Sequence, residues 1–295
     1  MCQRLITKWF MRTKQYLAII VLVIFLVAFV LIGHSYLFLG EDWKKTLGIL
    51  DFLHPYAQNK TLGIHHAFFG VPWTLFFIPH MFLPMSYSNA INMLLNIIVP
   101  MLVIAKYKGN YKTIAMVFLS PLFWLTLAVN NIDWIPLLAF LLPPHLMAIP
   151  LSVKPQSLGA MYLIILKREY EKNKLKGIGL LLIPLIVVVI ISTVIWPTWF
   201  IDIQQKLPIN VDINISPFPV LVPVGLWLLH RAYKNDDLIL AACATPFLVP
   251  FIGVYSISST ATVLCCKSRR MGFVVFVAQW VIYGVEIRRL LFGGY

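Results

Sequence analysis

The chain has 295 residues, of which 60% are hydrophobic and 12% are charged. A soluble domain carries about 25% charged residues, so this composition excludes an ordinary soluble domain and predicts an all-α polytopic membrane protein with a single integral-membrane domain over 1–295. The net charge of +13 comes from short basic clusters between apolar runs. That arrangement is typical of membrane topology and argues against nucleic acid as a partner, leaving the lipid bilayer as the first partner.

The first predicted element is the apolar run at 16–39, which is long enough to cross a bilayer as one helix. It is too long for the apolar core of a signal peptide, and no small-residue cleavage site follows it, so we expect a retained helix. The basic clusters that mark the cytoplasmic face lie at 4–14, 106–112, 167–176, 231–234 and 267–270. They place the N-terminus in the cytoplasm of a multi-pass protein, which we assign to a prokaryotic plasma membrane.

Residues 40–66 form the predicted first outer loop, whose mixture of apolar and charged side chains indicates short helices in the membrane interface. Asp42 lies near its start, in a chain with 11 acidic residues against 24 Lys and Arg, and is the candidate general base. His65 and His66 lie at the end of the loop. A histidine pair with a carboxylate can bind a divalent metal, but adjacent histidines point in different directions on a helix, so we predict no cofactor.

The apolar, proline-containing segment at 68–85 is predicted to lie on the outer side, partly embedded in the membrane. One crossing, at 88–105, connects it with the inner cluster at 106–112, and a second crossing would reverse the side on which that cluster lies. Tryptophans of this chain are typical of interfacial belts, and Trp73 in this segment is a candidate for stacking against a sugar.

The predicted crossing at 113–129 leads outward to Asn131 and Asp133, and the stretch at 134–166 then has to return to the inner side. A helix over that stretch would span about 50 Å, too long for one crossing and too short for three. Its prolines therefore predict broken or re-entrant helices. Lys154 is the basic residue in this apolar, proline-rich region. A lysine at membrane depth either holds an anionic ligand such as a lipid phosphate or extends to an interface.

Further apolar runs at 177–200, 218–229, 238–252 and 256–266 alternate in direction across the membrane. A last run at 271–285 ends in arginines that the alternation would place outside, against the positive-inside rule, so the C-terminal topology stays open. The four cysteines show neither metal-ligand spacing nor a disulfide framework.

Short motifs follow one another in a recognisable order along most of the chain. They are Gly40-Glu41-Asp42-Trp43, Phe69-Gly70-Val71-Pro72-Trp73 with Ile78-Pro79, Ser120-Pro121 through Asn130-Asn131-Ile132-Asp133, Leu151-Ser152-Val153-Lys154-Pro155-Gln156, Trp196-Pro197-Thr198-Trp199, and Thr245-Pro246 with Val254-Tyr255. Each motif is weak alone, but their order, spacing and sidedness together carry information. The series resembles the GT-C superfamily of integral-membrane glycosyltransferases, and in particular glycosyltransferase family 87, which depends on polyprenyl-phosphate mannose.

This resemblance implies a GT-C-like helical bundle that transfers a hexose, mannose by the family's preference, from a polyprenyl-phosphate donor to a hydroxyl of a lipid-linked or glycan acceptor at the outer membrane face. It implies one inverting displacement with Asp42 as the general base. The residues that it implies for binding the donor are Lys154, Gln156, Asp133, Asn131, His65, His66 and Trp73. Lys154, together with the histidines, would hold the phosphate.

Two other classes of protein stay open. The chain is short for the family, and Asn130 stands where a glycine is usual, which permits a non-catalytic subunit of a larger membrane assembly. The broken helices predicted around 143–156 would also suit a lipid or solute transporter, although transporters usually contain repeated halves and this chain shows no repeat. Release of the lipid phosphate from the donor would separate transfer from transport.

Overall fold

The computed structural model describes residues 71–77, 85–128, 131–201 and 214–292. These residues are mostly helical, and among them no strand forms beyond an isolated antiparallel bridge between Asn214 and Gly253. The all-α prediction is therefore confirmed for this part of the chain. A short 3-10 helix, Pro72–Phe76, precedes the first long helix.

The first described α-helix, α1, spans Met85–Lys106, is about 33 Å long and covers the predicted apolar run at 88–105. A tight turn follows, in which the N–H of Gly109 donates to the carbonyl of Ile104 at 2.8 Å. A Cβ atom at Gly109 would overlap Cγ2 of Ile104, so the chain can turn this closely only with glycine. The turn leads through an Asn110 N-cap into α2, Tyr111–Phe118.

The crossing predicted at 113–129 consists of two short helices rather than one. Helix α2 ends at Phe118, and α3 spans Pro121–Ala128; each has 8 residues. Proline lacks the N–H that continues a helix and disfavours helical backbone at the preceding residue, here Ser120. The break thus falls at the Ser-Pro motif itself.

The stretch between 134 and 166 is broken into short helical pieces, as its prolines predict. They are α4 (Trp134–Leu137), α5 (Ala148–Val153) and α6 (Pro155–Leu158), with 3-10 turns at Leu138–Phe140 and Pro144–Leu146. Pro155 stands at the start of α6, where the N–H that it lacks would have no helical partner. Ile135, Phe140 and Leu151 are fully buried, so these pieces belong to the main hydrophobic core.

Helix α7, Met161–Ile195, is the longest described helix and contains a sharp break. Lys174 has φ 53° and ψ −140°, outside the helical region, so α7 consists of two helical halves. A Cβ atom at Gly177 would overlap the carbonyl oxygen of Glu169, because the halves approach closely at this break. Of the described helices, α7 alone is both long and apolar enough to cross a membrane, and the predicted multi-pass topology goes beyond this observation.

Four helices complete the described chain and agree with the predicted apolar runs. They are α8 (Val222–Asn235), α9 (Leu238–Leu248), α10 (Ile257–Lys267) and α11 (Arg269–Phe292). Helix α8 ends at Asp236, which has a left-handed backbone with φ 54°. The next residue, Asp237, caps α9 by accepting a hydrogen bond from the N–H of Leu240 at 3.0 Å. Two successive aspartates therefore form the connection between α8 and α9.

Charged side chains join α7, α8, α9 and α10 at one end of these helices. The contacts are Lys167 with the carbonyl of Tyr233, Arg168 with the carboxylate of Asp236, and Lys267 with the carboxylate of Asp237. Burial alone would raise the pKa of Asp237, but hydrogen bonds from Lys267 and from backbone N–H groups outweigh it and lower the pKa. We call the end of the helices that carries these three contacts the basic end.

Candidate functional site

The backbone changes direction at Lys154, between α5 and α6. Its φ of −142° and ψ of 70° lie outside the helical region. Pro155 explains this local conformation, because proline disfavours helical backbone at the residue before it. The sequence Lys-Pro therefore takes Lys154 out of either helix and lets its side chain reach other elements.

The ammonium group of Lys154 is buried and fully engaged by neighbouring groups. Its Nζ lies 2.8 Å from Oδ1 of Asp133 and donates to Oδ1 of Asn131 at 2.9 Å. It also lies 4.8 Å from the centre of the Tyr255 ring, within the range of a cation–π contact. Lys154 is 7% exposed and Asp133 is 2% exposed. This is a buried, charge-neutral ion pair, and the burial of Nζ argues against extension of the lysine to an interface.

The loop that carries Asn131 is fixed by two asparagines of α1. The carbonyl oxygen of Asn131 accepts hydrogen bonds from Nδ2 of Asn96 at 2.5 Å and from Nδ2 of Asn92 at 3.3 Å. Because they are four residues apart, Asn92 and Asn96 lie on one face of α1. Asn92 also accepts a hydrogen bond from Nε1 of Trp134 at 2.7 Å. Helix α1 thereby orients the amide that receives the Lys154 ammonium.

The Asp133 carboxylate has one engaged oxygen and one unpaired oxygen. Oδ1 receives Lys154 and a hydrogen bond from Oγ of Ser157 at 3.3 Å. Its backbone carbonyl accepts from Oγ of Ser259 at 2.8 Å, which ties the loop to α10. Oδ2 is buried and has no hydrogen-bond partner in the described part of the chain. Such an atom keeps the capacity to accept a hydrogen bond or a proton.

An aromatic group, formed by Trp73, Phe76, Trp196 and Trp199, connects this ion pair with the end of α7. Nε1 of Trp73 donates to Oγ of Ser152 at 2.9 Å, close in sequence to Lys154. The Trp73 ring meets the Trp199 ring edge-on with centroids 5.5 Å apart, and the Phe76 and Trp196 rings lie 6.3 Å apart. The aromatic–proline motif and the later Trp-Pro-Thr-Trp motif therefore pack against each other beside α5.

The structure brings together Asn131, Asp133 and Lys154. Trp73 is connected to this group through its hydrogen bond to Ser152, which lies two residues before Lys154. Gln156 lies half-buried in α6 and makes no hydrogen bond to this cluster among the described residues. The predicted base Asp42 and the histidines His65 and His66 lie outside the described residues, as does the whole loop at 40–66. Across the described part of the chain, no group of three or more His, Cys, Asp or Glu side chains could hold a metal ion.

Four polar residues of the cluster were not predicted as site residues from the sequence. Tyr255 appeared only as part of the last motif, although its ring contacts Lys154. The signal for Asn92 and Asn96 was their four-residue spacing within α1, which places two amides on one buried face. Ser157 follows Lys154 by less than one helical turn, but its contact with Asp133 depends on tertiary structure.

The fold and this cluster define a helical protein with a membrane-length apolar helix and a buried lysine–aspartate pair supported by amides, hydroxyls and an aromatic ring. Comparisons of the chain with protein-family models, with curated proteins and with solved structures find no match. Buried ionisable side chains often belong to functional sites, because burial of a charge is costly. The residues and the geometry of the cluster are therefore the basis for a proposal about function.

Proposed function

We propose that the chain is a GT-C-like membrane glycosyltransferase that moves a hexose from a polyprenyl-phosphate donor to an acceptor hydroxyl. The hexose is mannose, and transfer takes place at the outer face of a prokaryotic plasma membrane. The protein is multi-pass, its N-terminus is cytoplasmic, and the acceptor is a lipid-linked sugar or a glycan. No cofactor takes part.

One observation carries the proposal: motif residues far apart in sequence converge on one buried cluster. Asn131 and Asp133 come from the third motif, Lys154 from the fourth and Tyr255 from the last, and all contact one another through the Lys154 ammonium. Motifs that matched the family by chance would not be expected to lie in contact in the fold. Their convergence supports a shared function of these segments.

The two ends of the apolar half of α7 support the proposed sidedness. Lys174 and Lys176 precede this half, and Trp196 and Trp199 follow it. Basic residues favour the cytoplasmic side, and tryptophans favour a membrane interface. Through Trp73 and Ser152, the Lys154 cluster is connected with the tryptophan end. This connection favours an outward-facing site.

In the proposed reaction, Asp42 removes the proton of the acceptor hydroxyl, whose oxygen then attacks the anomeric carbon of the donor. The bond between that carbon and the phosphate oxygen breaks, and the lipid phosphate leaves with the bonding electrons. A single displacement inverts the anomeric centre. Positive charge near the phosphate stabilises the leaving group, so positioning and electrostatics do most of the catalytic work. Lys154 supplies that charge, together with His65 and His66.

The proposal is tested with the full chain in lipid nanodiscs, polyprenyl-phosphate mannose labelled in the sugar, and a membrane extract as the source of acceptors. Wild type should transfer the label and release polyprenyl phosphate, whereas Asp42→Asn should lose at least about 100-fold in rate, typical of removing a general base. Asp51→Asn, a carboxylate of the same outer loop, is the matched control and should stay active. Wild-type activity of Asp42→Asn would remove Asp42 as the base.

One observation favours a second candidate, a non-catalytic subunit of a membrane assembly. The charge of Lys154 is already neutralised by Asp133 at 2.8 Å, as in a purely structural ion pair. A subunit of this kind would release no lipid phosphate from the donor and would copurify with other membrane proteins. Movement of intact donor across the nanodisc membrane, without release of phosphate, would instead indicate a transporter.

A further inference from the structure

The Lys154–Asp133 pair poses a chemical problem for an anionic donor. The ammonium contacts Asp133 at 2.8 Å and Asn131 at 2.9 Å, and Lys154 and Asp133 are 7% and 2% exposed. A phosphate that binds Lys154 has to compete with a carboxylate already in place. If Lys154 turned toward the phosphate, the Asp133 carboxylate would stay buried without a cation, and burial of an unpaired carboxylate strongly favours its protonated form.

The neighbours of Asp133 supply no second cation in the described part of the chain. The polar side chains that contact the pair or its hydrogen-bond partners are Asn92 and Asn96 from α1, Asn131 from the loop, Ser157 from α6, Tyr255, and Ser259 and Thr260 from α10. All are amides, hydroxyls or a phenol, and none carries a positive charge. Oδ1 keeps the hydrogen bond from Ser157, whereas Oδ2 has no described partner and is the atom at which a proton can be added.

We infer that binding of a prenyl phosphate at Lys154 is coupled to the uptake of one proton by Asp133. The inference rests on the proposed function, since it takes the donor phosphate as the ligand of Lys154. The Nζ atom exchanges Asp133 for a phosphate oxygen, and a proton from solvent binds Oδ2 of Asp133. With the donor, a phosphodiester of one negative charge, the charge of the buried cluster is balanced before and after exchange. Donor affinity consequently falls as pH rises, because the proton that binding requires becomes scarcer.

The test uses the full chain in nanodiscs and farnesyl monophosphate as the probe. Titration calorimetry at about pH 8, where a phosphate monoester is already a dianion, is carried out in two buffers with different ionisation enthalpies. The difference between the measured heats counts the protons, and about one proton per bound probe is expected. Infrared difference spectra on addition of the probe should show a new carboxylic-acid C=O band, which reports protonation of an Asp or Glu directly.

The band should be present in wild type and in Glu169→Gln, which removes another buried carboxylate outside the cluster, and absent in Asp133→Asn. Binding without proton uptake and without the band would overturn the inference and leave the proposed function standing. Failure of wild type to bind the probe would overturn both. If Asp133→Asn does not fold, the proton count and the band of wild type still decide the outcome.

Discussion

The charges of Lys154 and Asp133 compensate each other in the core. A buried ion pair has to overcome the desolvation of both charges, and removal of one partner leaves the other charge uncompensated, which typically costs about 3–5 kcal/mol. In the intact pair, Lys154 donates a hydrogen bond to Asn131 and Asp133 accepts one from Ser157, and these bonds reduce the cost of desolvation. The energetic consequence of a substitution therefore depends on whether one or both charges are removed.

We expect Lys154→Met to lower the free energy of unfolding by about 3–5 kcal/mol, because Asp133 stays buried without a cation. The double variant Lys154→Met/Asp133→Leu removes both charges at similar side-chain volume and should recover most of that loss. Denaturation of the purified variants in detergent, followed by circular dichroism, measures both values. Additive destabilisation, in which the double variant loses as much as Lys154→Met and Asp133→Leu together, would show that the two side chains are not energetically coupled.

At the residue scale, the sequence identified Asn131, Asp133 and Lys154 as candidate site residues but not their pairing. A charged residue in an apolar stretch indicates that its charge needs a partner in the folded chain. The identity of that partner depends on which segments pack together, and this cannot be read from the sequence. Asp133 was predicted to bind the donor, and its ion pair with Lys154 is visible only in the folded chain. The function of Asp42 stays a prediction.

At the scale of the helices, α8 and α9 come into close contact at Gly225. A Cβ atom there would lie 2.8 Å from Cγ and Cδ2 of Leu248 and 2.8 Å from Cβ of Phe247. The leucine side chain can rotate away, but a Cβ atom is fixed by its backbone. The glycine therefore sets the distance between the two helices at this point.

We predict that Gly225→Ala lowers the free energy of unfolding by about 1–3 kcal/mol, the usual effect of overpacking, because α8 and α9 have to move apart. Gly179→Ala is the matched control, since a Cβ atom there meets nothing within 4 Å. Alanine also favours helix over glycine, so the control should be unchanged or more stable by up to about 1 kcal/mol. Thermal denaturation in the same detergent measures the stabilities of the two variants and of wild type. Equal stability of both variants would contradict the close contact.

Helix breaks were predicted where several prolines cluster and missed at an isolated proline. The broken stretch between 134 and 166 followed from its prolines, but the break at Pro121 was missed because a single proline can also begin a helix. The break at Lys174 falls within the basic cluster at 167–176, where the alternation of apolar runs predicts a change of direction, although lysine is a good helix former and a positive φ is unusual for it. Gly177 allows the carbonyl oxygen of Glu169 to approach closely at this break.

At the scale of the whole molecule, the apolar half of α7 connects two chemically different ends. Its lysines lie before it in sequence, near the ion pairs of the basic end, and its tryptophans lie after it. The proposed topology requires these ends to face opposite sides of the membrane. Lys172 and Thr198 are both exposed and flank this half, so they report the two sides independently.

We expect Lys172→Cys to react with a membrane-impermeant maleimide only after the cells are opened, and Thr198→Cys to react in intact cells. The parent protein, whose described cysteines are buried or half-buried, serves as the unlabelled control. Labelling is read from the mass of the purified protein. Reaction of both variants in intact cells would contradict a crossing by α7, and the reverse order would invert the proposed topology.

The exposure of this half of α7 has a consequence for its surroundings. Most of its apolar side chains are exposed on the described protein, and such a surface suits the hydrocarbon of a bilayer. Residues 177–195 span about 28 Å as a helix, close to the roughly 30 Å of a bilayer's hydrocarbon core. The lysines before this half and the tryptophans after it would limit movement of the helix along the membrane normal. A thinner membrane would tilt this helix and shift the Trp199 ring against Trp73, so that bilayer thickness would act on the segment holding Lys154.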